Sequence, residues 1–283
     1  MIVSRLFGGA GNQMFQYAAG RALADHLGTD LALDRRYMVL WDETRGDCFA
    51  HYAKARFRDA PALPPTKMDG MLRYGLWRWL GRNPRFHREG ALGFNEGFFD
   101  LPDNTYLHGY WQSPRYFDHI ADRIREDLAL TTPLGPANRE MAARIAAAPV
   151  AVSVHVRRGD YMADGGFAAC PPAYYSAAVE RLTAEQGQPL TCFVFSNDPA
   201  WARANLSLGQ ETVVVDINDE ASGHFDMHLQ SLCAHNIIAN STFSWWGAWL
   251  NDNPAKTVIA PKNWFAPGKP GNPNLCPPGW LRL

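Results

Sequence analysis

Residues 150–161 read Val-Ala-Val-Ser-Val-His-Val-Arg-Arg-Gly-Asp-Tyr. The alternating β-branched residues at the start of this run predict a buried strand. That strand delivers His155, Arg157, Arg158 and Asp160 at its carboxyl end, where open α/β sheets bind their ligands. Side chains alternate along a strand, so Arg157 and Arg158 are expected on opposite faces. One can then meet an anion such as a phosphate, for which arginine is well shaped, while the other is tied into structure. Gly159 is expected to end the strand and let Asp160 fold back towards one of the arginines. The alternative is a surface ion pair at a strand end, without chemistry.

Downstream of this strand the pattern alternates. Helices are expected at 172–186, after Pro199, at 225–235 and at 242–250. Strands are expected at 190–195, 212–217, 236–239 and 257–260. Upstream, a strand at 1–7, a glycine-rich turn at 8–12, a helix at 14–27 and a strand at 30–34 make a βαβ opening. Residues 40–116, rich in aromatics, arginine, glycine and proline, show no clean period beyond a strand at 106–110. Helices at 116–130 and 136–148 follow. Alternating strands and helices predict parallel sheets covered by helices. The chain is expected to form two doubly wound α/β domains, 1–148 and 149–283.

At 283 residues, 47% hydrophobic and 19% charged, the chain is long and apolar enough for two packed domains. Its net charge of −1 argues against a general nucleic-acid binder but is compatible with a local basic site. The five cysteines are scattered and include no Cys-x-x-Cys pair. A zinc site or disulfide framework is therefore not expected, and a reducing cytoplasm is. No secretory leader is recognised, and no stretch approaches the ~20 apolar residues that span a bilayer. Peripheral association with a membrane is compatible with all of this.

Four further stretches carry candidate chemistry. Gly8-Gly9-Ala10-Gly11-Asn12-Gln13 joins a strand to a helix, where glycines admit a ligand to the backbone and the helix start favours anions. A dinucleotide fingerprint would place a third glycine at Met14. Asp34, at the end of the second strand, stands where a ribose-binding acid would lie, which leaves a nicotinamide-dependent oxidoreductase as a second reading. The alternative is a tight turn with Asn12 as helix cap. Ser196-Asn197-Asp198-Pro199 either holds a ribose or base or starts a helix, with proline at its first position. Asp216-Ile217-Asn218-Asp219 reads as a turn in preference to an Asp-x-Asp metal site. Asn240 to Trp249 sets hydroxyls and amides at a helix start suited to phosphate, with Trp249 expected in the core. His224 and His228 lack a third ligand at a recognisable spacing, so no metal site is expected there.

Gly8 to Ala18, His155 to Tyr161, Phe195 to Asp198 and the long run Asp226 to Leu250 together resemble the α-1,2-fucosyltransferases of glycosyltransferase family 11. The motifs occur in the family's order along nearly the whole chain. The resemblance implies a GT-B type architecture, two Rossmann-like domains facing across a cleft, with the acceptor on the first and GDP-fucose on the second. It implies inverting transfer of L-fucose from GDP-β-L-fucose to the 2-hydroxyl of a galactose, with no metal and no cofactor. Arg157 would hold the β-phosphate, Arg158 would support the site and Asp160 would orient the arginines. His155, Gly9, Gly11, Gln13, Ser196, Asn197, Asp198 and Asp226 would serve the sugar donor. Ser241, Thr242, Phe243 and Ser244 would add phosphate contacts. Asn12 matches an asparagine that related enzymes place near the reaction centre. No base for the acceptor hydroxyl is identifiable; Asp34 and Glu96 are only candidates. A bacterial enzyme of the cytoplasm, or of the inner face of its membrane, is expected. The alternatives are a transferase for another GDP-sugar and a non-catalytic sugar-nucleotide or glycan-binding module.

Overall fold

Short β-branched runs become parallel strands in both halves of the chain. The computed structural model describes residues 1–36, 48–52, 54–60, 65, 70–80, 85–158 and 169–283. They fall into two compact units. The first comprises Met1–Ala129 with Asn272–Leu275, and the second Leu130–Gly271 with Cys276–Leu283.

The first unit holds strands β1 (Ile2–Arg5), β2 (Leu31–Asp34), β3 (Arg58–Asp59), β4 (Arg85–Arg88) and β5 (Thr105–His108), in the order β3-β2-β1-β5-β4. All their pairings are parallel. Helix α1 (Ala10–His26) packs tightly on this sheet. A Cβ on its Gly20 would lie 2.9 Å from Leu31 Cδ1 and 3.0 Å from Ser4 Cβ. That close approach is the packing role a dinucleotide fingerprint would give its third glycine, here met six residues beyond Met14. Helices α2 (Met71–Leu80) and α3 (Ala121–Asp127) belong to the same unit. The Tyr17 hydroxyl donates to buried Asp127 at 2.8 Å, fixing α1 to α3.

The second unit holds β6 (Ala151–Val156), β7 (Thr191–Ser196), β8 (Glu211–Val215), β9 (His235–Ile237), β10 (Val258–Ala260) and β11 (Leu281–Arg282), in the order β11-β10-β9-β6-β7-β8. Its helices are α4 (Pro136–Ala147), α5 (Pro172–Gln186), α6 (Pro199–Asn205), α7 (Gly223–Ser231) and α8 (Thr242–Leu250). Every pairing is again parallel. Strand β6 is buried on both faces. Val152, Val154 and Val156 pack with Tyr175, Val179 and Leu182 of α5. Ala151 faces the other way, with Phe193, Phe195, Leu229 and Cys233. The chain winds from β6 outward through β7 and β8, then returns to lay β9 on the other flank of β6. The winding direction therefore reverses between β6 and β9.

The structure corrects several expectations. The unit boundary falls after Ala129, not 148, because Ile145 of α4 is buried among Ala151, Phe193 and Leu229. The expected helix 116–130 is broken. It resolves into 3₁₀ turns at Pro114–Tyr116 and Asp118–Ile120 before α3, with Phe117 between them at φ −139°. Strands β3 and β4, helix α2 and edge strand β11 were not expected.

Candidate active site

Arg157 and Arg158 directly follow β6. The Arg158 guanidinium lies 3.8 Å from the centroid of the Trp201 ring on α6. The Arg158 backbone N–H donates to Asn197 Oδ1 at 2.9 Å. Arg158 is thus the structural member of the pair. Half-buried Arg157 follows the strand, near enough for its charge to act on the His155 imidazole. His155 is 4% exposed, and its buried Nδ1 makes no hydrogen bond with the described residues. Burial, aided by the charge of Arg157, pushes the imidazole down to about 3. His155 is therefore neutral at neutral pH and brings no charge to the site. Gly159 and Asp160 lie outside the described residues.

Strand β9 ends beside β6 and leads directly into α8. Register pairs Val152 with His235 and Val154 with Ile237, so both strands deliver their following residues at the same edge of the sheet. Buried Asn240 anchors the turn by donating to the Trp264 carbonyl at 2.9 Å. Ser241 caps α8, its hydroxyl accepting from the Phe243 N–H at 3.3 Å. The Ser244 hydroxyl donates to the Ser241 carbonyl at 3.3 Å. The Phe243 ring, 5.5 Å from His155, ties the first turn of α8 to the end of β6. An arginine follows one strand and a helix N-terminus follows its neighbour, at the point where the winding reverses. That is where doubly wound sheets bind ligands, and both features favour an anion. Trp245, Trp246 and Trp249 are buried, which bears out Trp249 as core.

The remaining polar residues of this unit are mostly committed to structure. Asp198 is the cap of α6, accepting from the Trp201 N–H at 3.0 Å, with Pro199 at the first helical position. Ser196 accepts from the Asp198 N–H at 3.0 Å, and Asn197 braces Arg158. The turn reading of 216–219 stands. Asp219 bonds Ser222, and Asp216 pairs with Arg203 at 2.9 Å. Among the described residues, no group of three or more His, Cys, Asp or Glu could hold a metal ion.

Asp226, in the first turn of α7, accepts from Asn218 Nδ2 at 2.6 Å, and Asn218 exchanges amide bonds with Asn138 at 2.9 Å. Burial pushes the Asp226 carboxyl up to about 6. The Asn218 hydrogen bond opposes this, and the charge of Asp216 adds to it. An unfolded aspartate releases its proton near 4. Between about pH 4 and 6 the folded chain therefore holds a proton that the unfolded chain has lost, and stability falls as pH rises through that window. Asp226→Asn keeps the contact to Asn218 and removes the titration. It is expected to raise stability by about 2 kcal/mol above pH 7 and to flatten the pH dependence between 4 and 6. Thermal melts of both proteins at pH 4.5 and 7.5 check this.

In the first unit, Gly8 makes the turn at φ +75°, and a Cβ there would meet Asn12 Nδ2 at 2.7 Å. Gly9 is the N-cap of α1, and Gly11 and Asn12 lie in its first turn. The helix thus starts four residues earlier than expected, and Asn12 is not its cap. Gln13 is 1% exposed; its amide donates to the Gly8 carbonyl at 2.9 Å and accepts from the Cys48 N–H at 3.3 Å. Those bonds hold the glycine-rich turn against the segment at Cys48. Glu96 is exposed and pairs with Arg115 at 2.9 Å.

Asn12 Oδ1 accepts from Gln112 Nε2 at 2.8 Å. Gln112 follows β5, the neighbour of β1, so this pair occupies the point in the first sheet where the winding reverses. The loop that presents Gln112 is strained and braced. Buried Trp111 sits at φ +55°, where a bulky residue is uncommon. The Glu89 carboxylate accepts from the N–H groups of Tyr110 at 2.6 Å and Trp111 at 3.1 Å. The Gln112 carbonyl accepts from Asn272 at 2.7 Å. Neither Gln112 nor Glu89 was singled out from sequence. Gln112 was within reach, because the strand-end rule used for Arg157 applies equally to β5.

The fold is shared with a fucosyltransferase of Arabidopsis thaliana solved with GDP. The TM-score is 0.53 over 92% of this chain and 70% of that one, at 15% identity. The two doubly wound units are those of a GT-B glycosyltransferase. The profile of glycosyl transferase family 11 matches residues 92–280, and the chain belongs to that family. It is 29% identical over 300 residues to an alpha-1,2-colitosyltransferase of Escherichia coli, covering 100% of this chain and 99% of that protein. It is 30% identical over 315 residues to the O-antigen biosynthesis glycosyltransferase WbnK of Escherichia coli, covering 99% of each. Against galactoside alpha-(1,2)-fucosyltransferase 1 of Alouatta caraya it is 30% identical over 259 residues, 85% of this chain and 62% of that one.

Proposed function

We propose that the protein transfers L-fucose from GDP-β-L-fucose to the 2-hydroxyl of a galactose, with inversion, to give an α-1,2 linkage. What supports this reading is that Arg157, after β6, and the N-terminus of α8, after β9, follow neighbouring strands where the winding reverses. The acceptor oxygen bonds to C1 of fucose as the C1–O bond to the β-phosphate breaks. Negative charge then grows on the leaving GDP. A guanidinium can make two charge-assisted hydrogen bonds to it, and the capped amides of α8 add fixed dipoles. His155 is neutral and closes the floor of the site beside Phe243. The acceptor proton is assigned to the departing phosphate, since no described carboxylate presents itself as the base.

In the first unit, Asn12 and Gln112 are assigned to the acceptor sugar. Asn12→Ala and Gln112→Ala are each expected to lower kcat/KM for a galactoside about ten- to a hundredfold, the cost of one unpaired polar group. The double variant should lose little more than either single one, because the residues act through one hydrogen bond. Multiplying losses would show that they act separately.

A second reading concerns the sugar. The colitosyltransferase relative favours a donor that lacks the 3-hydroxyl of fucose. A site that hydrogen-bonds that hydroxyl would discriminate against colitose by orders of magnitude. The test is turnover of GDP-fucose and GDP-colitose, each with EDTA, against lactose and N-acetyllactosamine. GDP release with a new 2-linked fucose supports the proposal, and preference for GDP-colitose assigns the second reading. Binding of GDP-fucose with no transfer to any galactoside would mark a binding module and overturn catalysis.

A further inference from the structure

Helix α2 turns its apolar side outward. Trp77 packs edge-on against Phe86 of β4, ring centroids 5.4 Å apart, and Tyr74 lies 6.1 Å from Trp77. These aromatics form its inner face. Met71 is 68% exposed, Leu72 91%, Leu76 57% and Trp79 82%. At about 100° per residue these four positions cover roughly 140° of the helix, one continuous strip. By helical spacing, exposed Arg73 falls at one edge of the strip, position 78 in the sequence at the other, and the helix carries no acid. A surface helix ordinarily shows charge where this one shows leucine and tryptophan. Four adjacent large apolar side chains are a patch, unlike the scattered apolar residues of any surface.

The charge of the sequence that carries this helix, including exposed Arg73 and Arg88, identifies the occupant. Between residues 67 and 88 the sequence carries Lys67, Arg73, Arg78, Arg82, Arg85 and Arg88 against the single acid Asp69 upstream of Glu89, in a chain whose net charge is −1. A second copy laid face to face on this strip would bring like arginine borders together. An anionic surface would be attracted by both borders while the strip enters an apolar phase. Among the described residues no helix is long and apolar enough to cross a membrane. The geometry is that of a helix lying in the plane of the interface, with tryptophan at headgroup depth and arginines reaching out to phosphate. We propose that α2 is a membrane-docking helix that seats the protein on bilayers rich in anionic lipid. This inference is independent of the sugar the enzyme transfers.

The experiment is flotation of the intact protein with vesicles of phosphatidylcholine alone and of phosphatidylcholine mixed with phosphatidylglycerol. The expected result is co-flotation with the anionic vesicles only, reversed by high salt. The double variant Leu72→Glu with Leu76→Glu should weaken partitioning about tenfold or more, with its thermal melt unchanged because both side chains are exposed. Its GDP affinity should match that of the native protein. Trp79→Phe should remove the blue shift in fluorescence that anionic vesicles induce. No flotation with anionic vesicles, or equal flotation of the double variant, would overturn the proposal. So would a concentration-dependent dimer in sedimentation that the same double variant abolishes, since that result assigns the strip to a second copy.

Discussion

Arg157→Ala is expected to lower kcat about a hundred- to a thousandfold while leaving the protein folded. The estimate corresponds to roughly 3–4 kcal/mol of transition-state stabilisation, the usual cost of removing a preorganised donor aimed at developing charge. Its neighbours make the expectation specific. His155 of β6 is neutral, held near 3 by burial and by Arg157 itself. Arg158 is stacked on Trp201. Among the described residues that follow β6 and β9, charge for a leaving phosphate is therefore assigned to Arg157 and the start of α8. An interaction made chiefly in the transition state should lower kcat and kcat/KM together and change KM little. Arg157→Lys keeps the charge but loses the planar fork, and should recover only a small part of the loss. Arg158→Ala is the internal control. It removes a cation–π contact of about 0.5–2 kcal/mol and should lower the melting temperature more than it lowers kcat. Near-normal kcat in Arg157→Ala would remove Arg157 from the chemistry and the proposed site with it.

The sequence revealed this site because it stands on β6, a strand buried on both sides. Such strands are written as β-branched runs whose ends are easy to place. Helices α5 and α8 begin and end where their periodicity predicts, at Pro172–Gln186 and Thr242–Leu250. The boundary between units was misplaced because α4 carries no mark of the sheet it covers; only its burial against Phe193 and Leu229 assigns it. Residues 40–116 resisted reading for local reasons. Strand β3 is two exposed residues, and β4 is Arg-Phe-His-Arg. Helix α2 points Leu72 and Leu76 outward, against the inward stripe by which a helix is recognised. At helix starts the difficulty was different. Asp198 and Asn12 are residue types suited both to capping and to ligands, and only geometry separates the two roles. It makes Asp198 a cap and places Asn12 inside the first turn, bonded to a glutamine one hundred residues away.

Asp34 tests the boundary between the proposed chemistry and the nicotinamide alternative. At the end of β2 it stands where a ribose-binding acid would, yet it is 0% exposed and both its oxygens are engaged. Oδ1 accepts from Arg36 Nε at 2.9 Å, and Oδ2 accepts from Arg36 Nη2 at 2.9 Å and from the Tyr106 hydroxyl at 2.6 Å. Burial alone would raise this carboxyl, but the hydrogen bonds from Arg36 and Tyr106 outweigh it and hold it below the usual carboxylate range. Its contribution to stability is therefore present above the unfolded value near 4 and is lost as pH falls through the lower folded value. Asp34→Ala would remove the paired hydrogen bonds from Arg36 and leave the buried Tyr106 hydroxyl without its Asp34 acceptor. Breaking a buried pair on one side costs about 3–5 kcal/mol, a large share of the total for a domain of this size. The expected result is a marked drop in the urea midpoint, with the folded fraction binding GDP as the native protein does. A ribose-binding role requires the reverse: stability close to native, and affinity for NAD present in the native protein and lost in the variant. Measuring both midpoint and nucleotide affinity on the same variant separates the two, because an aspartate fully bonded within its own sheet has no acceptor left for a ribose hydroxyl.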